Sequence, residues 1–238
     1  MSSKVRAVFL DAGYTLLFPR LDGLGLELAN LGFAASVEDF QEAERVAKKK
    51  IDEVLWPLLR AGQIPRNSSR FYWQPYLEAL MDRLKAPAEA RPGLTRKVVE
   101  IFEDIRTWSR VLPETPPALE SLRSKGYLLA AISNSDGRIE AEIGRAGLGE
   151  YLGFVIDSTI VGVEKPHPEI FEIALRRANV APEEALYVGD IYAVDVGGAQ
   201  LAGLRGILYD RVGAYPQADC PRIASLAELG NIVAQLDS

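Results

Sequence analysis

The chain has 238 residues, of which 48% are hydrophobic and 25% are charged, a balance typical of a globular protein with one or two domains. The net charge of −6 argues against a nucleic-acid partner, whose phosphates require a basic face. The sequence shows no signal-peptide region and no apolar stretch of about 20 residues, so we expect a cytoplasmic protein without membrane contact. Its one cysteine, Cys220, excludes an internal disulfide.

The first predicted element is a buried strand. Residues Val5 to Leu10 form a short apolar run without helical period, and the run stops at Asp11 and Gly13. Because a strand covered on both faces reads as a continuous apolar run, we expect this one to lie in the middle of a parallel sheet.

From residue 19 to about residue 110 the pattern is typical of helices, and no strand-like stretch interrupts it. We predict helices over Leu21 to Leu31, over Val37 to Arg60 with Ser36 as the N-cap, over Ser69 to Lys85, and over Leu94 to Thr107. The second of these carries apolar residues at intervals of three and four, which place one apolar stripe along the helix. The segment therefore predicts a helical module inserted after the first strand.

From Val111 onward, predicted strands alternate with predicted helices. The strands are Tyr127 to Ile132, Phe154 to Asp157, Leu186 to Val188 and Ile207 to Tyr209; the helices between them are Pro116 to Lys125, Arg138 to Ala146, Pro168 to Ala178 and Asp195 to Leu201. Such alternation produces a parallel sheet. We predict an α/β fold with a doubly wound, Rossmannoid core domain of residues 1–18 and 109–238, interrupted by an all-helical domain of residues 19–108.

Four polar signatures follow these apolar runs. They are Asp11-Ala12-Gly13-Tyr14-Thr15, Ser133-Asn134, Lys165-Pro166, and Gly189-Asp190 with Asp195 five positions further on. Each would lie at the carboxyl end of a strand, where open α/β sheets bind their ligands. Any one of them is also compatible with an ordinary helix cap or turn. Their joint occurrence in this order indicates a site that handles a phosphoryl group.

On these four motifs the sequence resembles the haloacid dehalogenase (HAD) superfamily of hydrolases, over nearly its whole length. The resemblance is to the subfamily with a helical cap between the first and second motifs and a non-acidic residue two positions after the nucleophile. It implies a HAD-like core with an inserted cap. The implied activity is that of a phosphatase that acts through an aspartyl-phosphate on a small phosphorylated metabolite. We expect a monomer or a weak dimer.

The resemblance also implies a role for each motif residue. Asp11 is the expected nucleophile, and Lys165 supplies a positive charge to Asp11 and to the phosphoryl oxygens. The Ser133 hydroxyl and the backbone N–H of Asn134 are expected to bind the same oxygens.

A magnesium ion is the implied cofactor. Asp11 and Asp190 would ligate it, Asp195 would bind it directly or through water, and the carbonyl of Gly13 would be a further ligand. Gly13 departs from the pattern of the family phosphatases, which carry an aspartate there that protonates the leaving group and then activates water, a contribution worth about 10² to 10⁴ in rate.

Three interpretations of Gly13 stay open at this point. The first is a phosphatase whose substrate has a leaving group that needs little protonation, or one that borrows an acid from the cap. The second is a hydrolase of another bond: a dehalogenase, or a phosphonatase-like enzyme with a Schiff-base lysine among Lys48, Lys49 and Lys50. The third is a metal-binding or regulatory protein without turnover. The lysines also fit a solvated helix face.

Several other residues invite a functional interpretation. The one histidine, His167, is expected to cap the following helix. We expect four aromatic residues to pack the cap's own core or to line the substrate pocket: Phe71, Tyr72, Trp73 and Tyr76. Candidates for binding a distal anion of the substrate are Arg20, Arg66 and Arg70.

Overall fold

A computed structural model describes residues 4–20, 29, 33 and 35–236. The strands are β1 (Ala7–Leu10), β2 (Phe18–Pro19), β3 (Trp108–Arg110), β4 (Leu128–Ser133), β5 (Phe154–Asp157), β6 (Ala185–Gly189), β7 (Arg205–Tyr209) and β8 (Arg222–Ile223). The helices are α1 (Val37–Arg60), α2 (Ser69–Arg83), α3 (Arg91–Glu103), α4 (Thr115–Ser124), α5 (Ile139–Arg145), α6 (Ser158–Val161), α7 (Pro168–Ala178), α8 (Gly198–Leu201) and α9 (Leu229–Leu236), with a π-helical turn over Tyr192–Gly197. The helix predicted over Leu21 to Leu31 lies almost wholly outside the described residues.

Six strands form one parallel sheet in the order β5-β4-β1-β6-β7-β8. Strand β1 lies between β4 and β6, with Leu10 beside Ala131 on one side and Val188 on the other. The chain extends the sheet from β4 in one direction and from β6 in the other, so the strand order reverses around β1. Ligands of open α/β sheets bind at such a reversal, outside the carboxyl ends of the strands. The predicted α/β core is confirmed.

Strand β1 is buried on both faces, as its apolar run predicts. Val8 and Leu10 belong to the apolar cluster on one face of the sheet, whereas Ala7 and Phe9 belong to the cluster on the other face. All four side chains have 0% exposure. A strand covered on both faces is held rigidly, so the residue that follows it is well fixed in space.

Helices α1 to α3, which we call the helical insert, share an apolar cluster of their own. The buried stripe of α1 includes Ala47, Ile51 and Leu55, and it packs against buried residues of α2 such as Tyr76 and Leu80. Helix α1 begins at the predicted cap: Ser36 Oγ accepts a hydrogen bond from Asp39 N, and the Asp39 side chain accepts one from Ser36 N. The cluster extends to Ala193 and Val194 of the core, so the insert is packed onto the sheet edge.

A short antiparallel ribbon joins the two connections of the insert. Phe18 pairs with Arg110 and Pro19 with Trp108. The expectation that no strand lies between residues 19 and 110 is therefore wrong. Strands of two and three residues are too short to carry an alternating pattern, and their pairing joins segments about 90 residues apart in sequence.

Among the described residues, no helix has the length and apolar character to cross a membrane.

Candidate active site

The four sequence motifs meet at one edge of the sheet. Asp11 follows β1, Ser133 ends β4, and Asp190 follows β6, while Lys165 lies in the loop before α7. All four residues are buried, and they line a cavity of about 480 Å³ between the sheet edge and the helical insert. The structure thus brings the predicted site residues together.

Lys165 is the centre of the site's hydrogen bonds. Its Nζ lies 2.5 Å from Asp11 Oδ1, 2.7 Å from Asp195 Oδ1 and 2.7 Å from the Tyr187 hydroxyl. Burial lowers the pKa of Lys165, but the attraction of Asp11 and Asp195 outweighs it and raises the pKa above its ordinary value. The lysine is therefore a fixed positive charge beside Asp11.

The backbone of Lys165 is held from two sides. Lys165 N donates to Asn134 Oδ1 at 2.7 Å, and Asn134 Nδ2 donates to Lys165 O at 3.0 Å. Ser68, at the start of the insert's second helix, donates from Oγ to the same carbonyl. The Asn134 side chain thus positions the lysine loop, and its role toward phosphate, through its backbone N–H, stays a prediction.

Tyr187 is a site residue that the sequence reasoning missed. Its hydroxyl accepts a hydrogen bond from Lys165 Nζ and lies 3.1 Å from Ile132 O and 3.2 Å from Asp195 Oδ1. The one available signal was a hydroxyl-bearing residue within an otherwise apolar buried strand. Such a hydroxyl requires an internal partner, because an unpaired buried polar group is costly.

Close approach explains why glycine precedes Asp190. A Cβ at Gly189 would lie 2.3 Å from Asp195 Cγ, which no real side chain permits. The absence of a side chain lets the Asp195 carboxylate fold back over the strand end, where Ile191 N donates to its Oδ2 at 2.9 Å. The spacing from Gly189 through Asp195 therefore places two carboxylates at the carboxyl end of β6.

Negative charge is in excess at this site. Burial, and after it the neighbouring carboxylates, raises the pKa of Asp11 above its ordinary value, although Lys165 opposes the shift. Burial likewise raises the pKa of Asp190. Both shifts arise first of all because these carboxylates are removed from water.

The donor set fits a divalent cation. Asp11, Asp190 and Asp195 each offer an oxygen atom, and these atoms lie within 4.8 Å of one another. Four carboxylates, those three and Glu44, surround two ammonium groups, those of Lys48 and Lys165, so two negative charges remain when all are ionised. Carboxylate oxygens with this excess charge are what Mg²⁺ prefers. Gly13 lines the same cavity, and its carbonyl as a ligand stays a prediction.

Lys48 belongs to this site, and its interpretation as part of a solvated face is wrong. Its Nζ lies 2.6 Å from Glu44 Oε1 and 2.7 Å from Asp190 Oδ2, and its side chain is only 7% exposed. The contact between Lys48 and Asp190 is thus a buried ion pair. By contrast, Lys50 is exposed and pairs with Glu53. The insert thus supplies a charge to a predicted metal ligand.

A second stripe of α1 faces the core. Four residues at intervals of four make it: Glu44, Lys48, Asp52 and Trp56. Asp52 Oδ1 accepts a hydrogen bond from Ala193 N at 2.8 Å. The Trp56 ring lies 5.2 Å from that of Tyr192. We call this set the docking stripe, and it attaches the insert to the turn that carries Asp195.

The indole of Trp108 covers Gly13. A Cβ added at Gly13 would lie 3.4 Å from Trp108 Cζ3, and Trp108 Nε1 is fixed by donating to Phe102 O at 3.0 Å. Gly13 itself has no positive φ; the left-handed residue of the loop is Tyr14, with φ of 54°. A side chain at position 13 would therefore stand in contact with an aromatic ring.

The remaining sequence predictions have mixed outcomes. His167 is confirmed as a helix cap, because its Nδ1 accepts from Glu169 N at 3.3 Å. Tyr72 and Tyr76 are buried in the insert's core and also line the cavity. Phe71 is 49% exposed, so its expected packing in that core is wrong.

The three arginines proposed to bind a distal anion lie elsewhere. All of them belong to the described part of the chain, and none is among the residues that line the cavity: Arg20, Arg66 and Arg70. Arg66 instead forms an ion pair with Glu169 at the start of α7.

Comparisons with known proteins agree with this geometry. A family model described as haloacid dehalogenase-like hydrolase matches residues 5–203. The chain is 33% identical over 176 residues to mouse (Mus musculus) haloacid dehalogenase-like hydrolase domain-containing protein 3. The aligned residues cover 71% of this chain and 69% of that protein. It is 36% identical over 144 residues to a phosphoserine phosphatase of Thermus thermophilus, which is 60% of this chain and 57% of that enzyme.

Among solved structures, a 2-haloacid dehalogenase from Pseudomonas syringae pv. Tomato aligns over 97% of this chain and 99% of its own, with a TM-score of 0.57 and 28% identity. The match to the Thermus enzyme spans less than two thirds of its length. The family model, in contrast, extends across all four motifs and the insert between them. The chain belongs to the haloacid dehalogenase-like hydrolase family.

Proposed function

We propose that this protein is a magnesium-dependent phosphatase that acts through an aspartyl-phosphate at Asp11. The observation that carries the proposal is the buried charge cluster at the carboxyl edge of the sheet. In it, Lys165 contacts Asp11 Oδ1, and three carboxylates converge within 4.8 Å. A similarity to a phosphoserine phosphatase supports phosphoryl chemistry within the family. Similarity to a dehalogenase is equally present, and the charge cluster is the observation that favours the phosphatase.

The residues have distinct tasks in this reaction. Lys165 engages Oδ1 of Asp11, which leaves Oδ2 to attack the phosphorus atom in line with the leaving oxygen. Ser133 and the Lys165 ammonium stabilise the charge on the equatorial oxygens. Mg²⁺, held by Asp11 and Asp190 with Asp195 nearby, would neutralise the repulsion between the nucleophile and the phosphate dianion. Water then releases phosphate from Asp11.

The helical insert would serve as the cap of the site, with the domain boundaries at residues 18/19 and 108/109. Tyr72, Trp73 and Tyr76 of α2 line the cavity opposite the sheet edge. A cap in this place excludes water while the aspartyl-phosphate forms. The same contacts would make the insert the source of substrate specificity.

The charged residues of the site weaken two alternatives. A Schiff-base enzyme requires a neutral amine, whereas Glu44 and Asp190 together outweigh burial and raise the pKa of Lys48. The ammonium form is not nucleophilic. A dehalogenase of this superfamily has no use for a metal site, whereas Asp11, Asp190 and Asp195 form a carboxylate cluster that could hold a metal ion. A regulatory protein without turnover would retain the same geometry, and activity assays separate it.

The test is a release assay for phosphate, halide and acetaldehyde over a broad substrate panel, with Mg²⁺ or EDTA. We expect phosphate release that requires Mg²⁺, and a phosphoryl adduct on Asp11 in acid-quenched samples examined by mass spectrometry. Asp11→Asn is the matched blank, because it preserves shape and removes the nucleophile. Halide release that persists in EDTA would assign the protein to the dehalogenases instead. Absence of all products with an unmodified Asp11 would favour the regulatory interpretation.

A further inference from the structure

Beyond the phosphoryl site, the cavity is walled by aromatic rings. We call this set the aromatic wall, and its rings follow one another in the order Tyr76, Trp73, Phe102, Trp108 and Tyr14. Successive ring centroids lie 5.4, 6.0, 5.8 and 5.1 Å apart, and the first two rings are stacked within 2° of parallel. All five line the cavity. A surface of this kind gives a planar ring stacking or edge-to-face contacts at each position.

The cavity has no spare positive charge. Among the described residues that line it, the cations are Lys48 and Lys165, and both are already paired with buried carboxylates. Glu103 and Asp136 also line it, and Asp136 is paired with Arg138. A substrate with a carboxylate or a second phosphate on its leaving group would bury that anion without a partner, which is costly. The leaving group should therefore carry no anion of its own.

The site also offers no carboxylic acid at position 13. Trp108 lies against Gly13, with its indole 3.4 Å from the position that a Cβ would take there. Without a proton donor at position 13, the rate depends more strongly on how stable the departing oxyanion is by itself. A phenol-type hydroxyl has a pKa of about 10, compared with about 15.7 for water, which aliphatic alcohols resemble. An aryl oxyanion is thus a far better unassisted leaving group than an alkoxide.

These observations are independent and converge on one substrate class. We infer that the substrate is an aryl phosphomonoester, a phosphate carried on the hydroxyl of an uncharged aromatic ring that lies against the aromatic wall. The inference rests on the proposed phosphatase activity and names its substrate class.

The two steps balance without any further reactant. Asp11 forms a bond to phosphorus, the bond between phosphorus and the aryl oxygen breaks, and the aryl oxygen leaves with the electron pair and takes a proton from water. Water then attacks the same phosphorus atom, the bond to Asp11 breaks, and phosphate leaves. Overall, one aryl phosphate and one water give one phenol and one inorganic phosphate.

Four substrates separate the two halves of the inference. Phenyl phosphate has a ring and a good leaving group, benzyl phosphate has a ring and a poor one, acetyl phosphate has no ring and a good one, and ethyl phosphate has neither. We expect kcat/KM to be highest for phenyl phosphate and lowest for ethyl phosphate. Equal values for phenyl and benzyl phosphate would overturn the leaving-group argument. Equal values for benzyl and ethyl phosphate, which both release an alkoxide, would overturn the role of the ring.

A matched pair of variants tests the aromatic wall itself. Trp73 and Phe71 both lie on α2 and are both partly exposed, but Trp73 alone lines the cavity. We expect Trp73→Ala to lower kcat/KM for phenyl phosphate by about 2- to 10-fold, the worth of an aromatic contact, and to leave acetyl phosphate unchanged. Phe71→Ala should change neither. An equal loss on both substrates in Trp73→Ala would contradict direct contact with the ring.

A binding measurement distinguishes failure of this inference from failure of the proposed function. Phenylphosphonate and methylphosphonate, which are not hydrolysed, are titrated calorimetrically into the Mg²⁺-loaded protein. Tighter binding of phenylphosphonate, weakened in Trp73→Ala, supports the aromatic site even if no ester is hydrolysed. Equal affinity for the two phosphonates overturns it even if acetyl phosphate is hydrolysed rapidly.

Discussion

Restoring an acid at position 13 should succeed only when Trp108 is also made smaller. Gly13 has no positive φ, so an aspartate fits the backbone without strain, and its Cβ would meet Trp108 Cζ3 at an ordinary contact distance of 3.4 Å. A carboxylate that extends from that Cβ toward the indole would require the ring to move. The indole cannot swing away freely, because Nε1 is hydrogen bonded to Phe102 O.

The structure sets the size of the expected effect. General acid catalysis is worth about 10² to 10⁴ in rate when the acid reaches the leaving oxygen. Displacing the aspartate from its preferred rotamer costs about 0.5–1.5 kcal/mol, and a displaced carboxylate also loses contact with that oxygen. For ethyl phosphate we therefore expect a gain below about tenfold in Gly13→Asp alone. In Gly13→Asp combined with Trp108→Leu we expect about 10² or more relative to Trp108→Leu.

The assay is kcat/KM for ethyl and phenyl phosphate in the parent, the two single variants and the double variant. The gain should be confined to ethyl phosphate, since a phenolate needs little protonation. Gly13→Asn is the control for shape without a proton. An equal gain from Gly13→Asp with and without Trp108→Leu would refute the blocking role of the indole. A folded, Mg²⁺-binding double variant without any gain would refute the argument that a missing acid limits turnover.

Three further predictions concern the charge cluster. Asp190→Asn should lose the thermal stabilisation by Mg²⁺. In the parent we expect Mg²⁺ at a 100-fold excess over Kd to add about 2.7 kcal/mol to the free energy of unfolding, which raises Tm by about 5–10 °C. If calorimetry shows the same rise in the variant, Asp190 is not a metal ligand. Lys165→Met should abolish turnover and leave the Asp11 carboxylate without its positive partner. We expect the free energy of unfolding to fall by about 3–5 kcal/mol in EDTA and by less in Mg²⁺. A loss of stability with turnover retained would make this lysine structural. Lys48→Met should bind Mg²⁺ at least about tenfold more tightly than the parent in isothermal titration, because the ammonium that competes for Asp190 is removed. Lys50→Met is the matched control and should bind as the parent does. Weaker binding in Lys48→Met would contradict this account.

The core of the fold and four motifs were accessible from sequence because each depends on local pattern. The apolar run before Asp11 predicts a strand covered on both faces, and the chain order of such runs predicts a parallel sheet. Polar residues at strand ends then meet at one edge whatever the loops do. For this reason Asp11, Ser133 and Asp190 could be assigned to one site without coordinates. Lys165, predicted at a strand end, instead reaches the site from the loop before α7.

Residues that act through long-range packing were not accessible in this way. Trp108 reaches Gly13 only because β2 and β3 pair across the insert, and neither strand is long enough to show a pattern. In the sequence, Tyr187 resembles any aromatic residue of a buried strand. Its role depends on the hydrogen bond that its hydroxyl accepts from Lys165 Nζ. In both cases the sequence shows the side chain but not the residue that the side chain contacts in the fold.

Lys48 is the instructive intermediate case, because a local signal existed. A run of three lysines suggests a solvated face, yet the residues at intervals of four through Lys48 are Glu44, Asp52 and Trp56. This stripe runs beside the apolar stripe that packs on α2, so α1 is covered on two adjacent faces and not one. A helix with a second neighbour needs polar groups that pair across the second interface, and Lys48 and Asp52 pair there with Asp190 and with a backbone N–H. Because both contacts end on the segment that carries the predicted metal ligands, the insert contributes directly to the charge around Asp190.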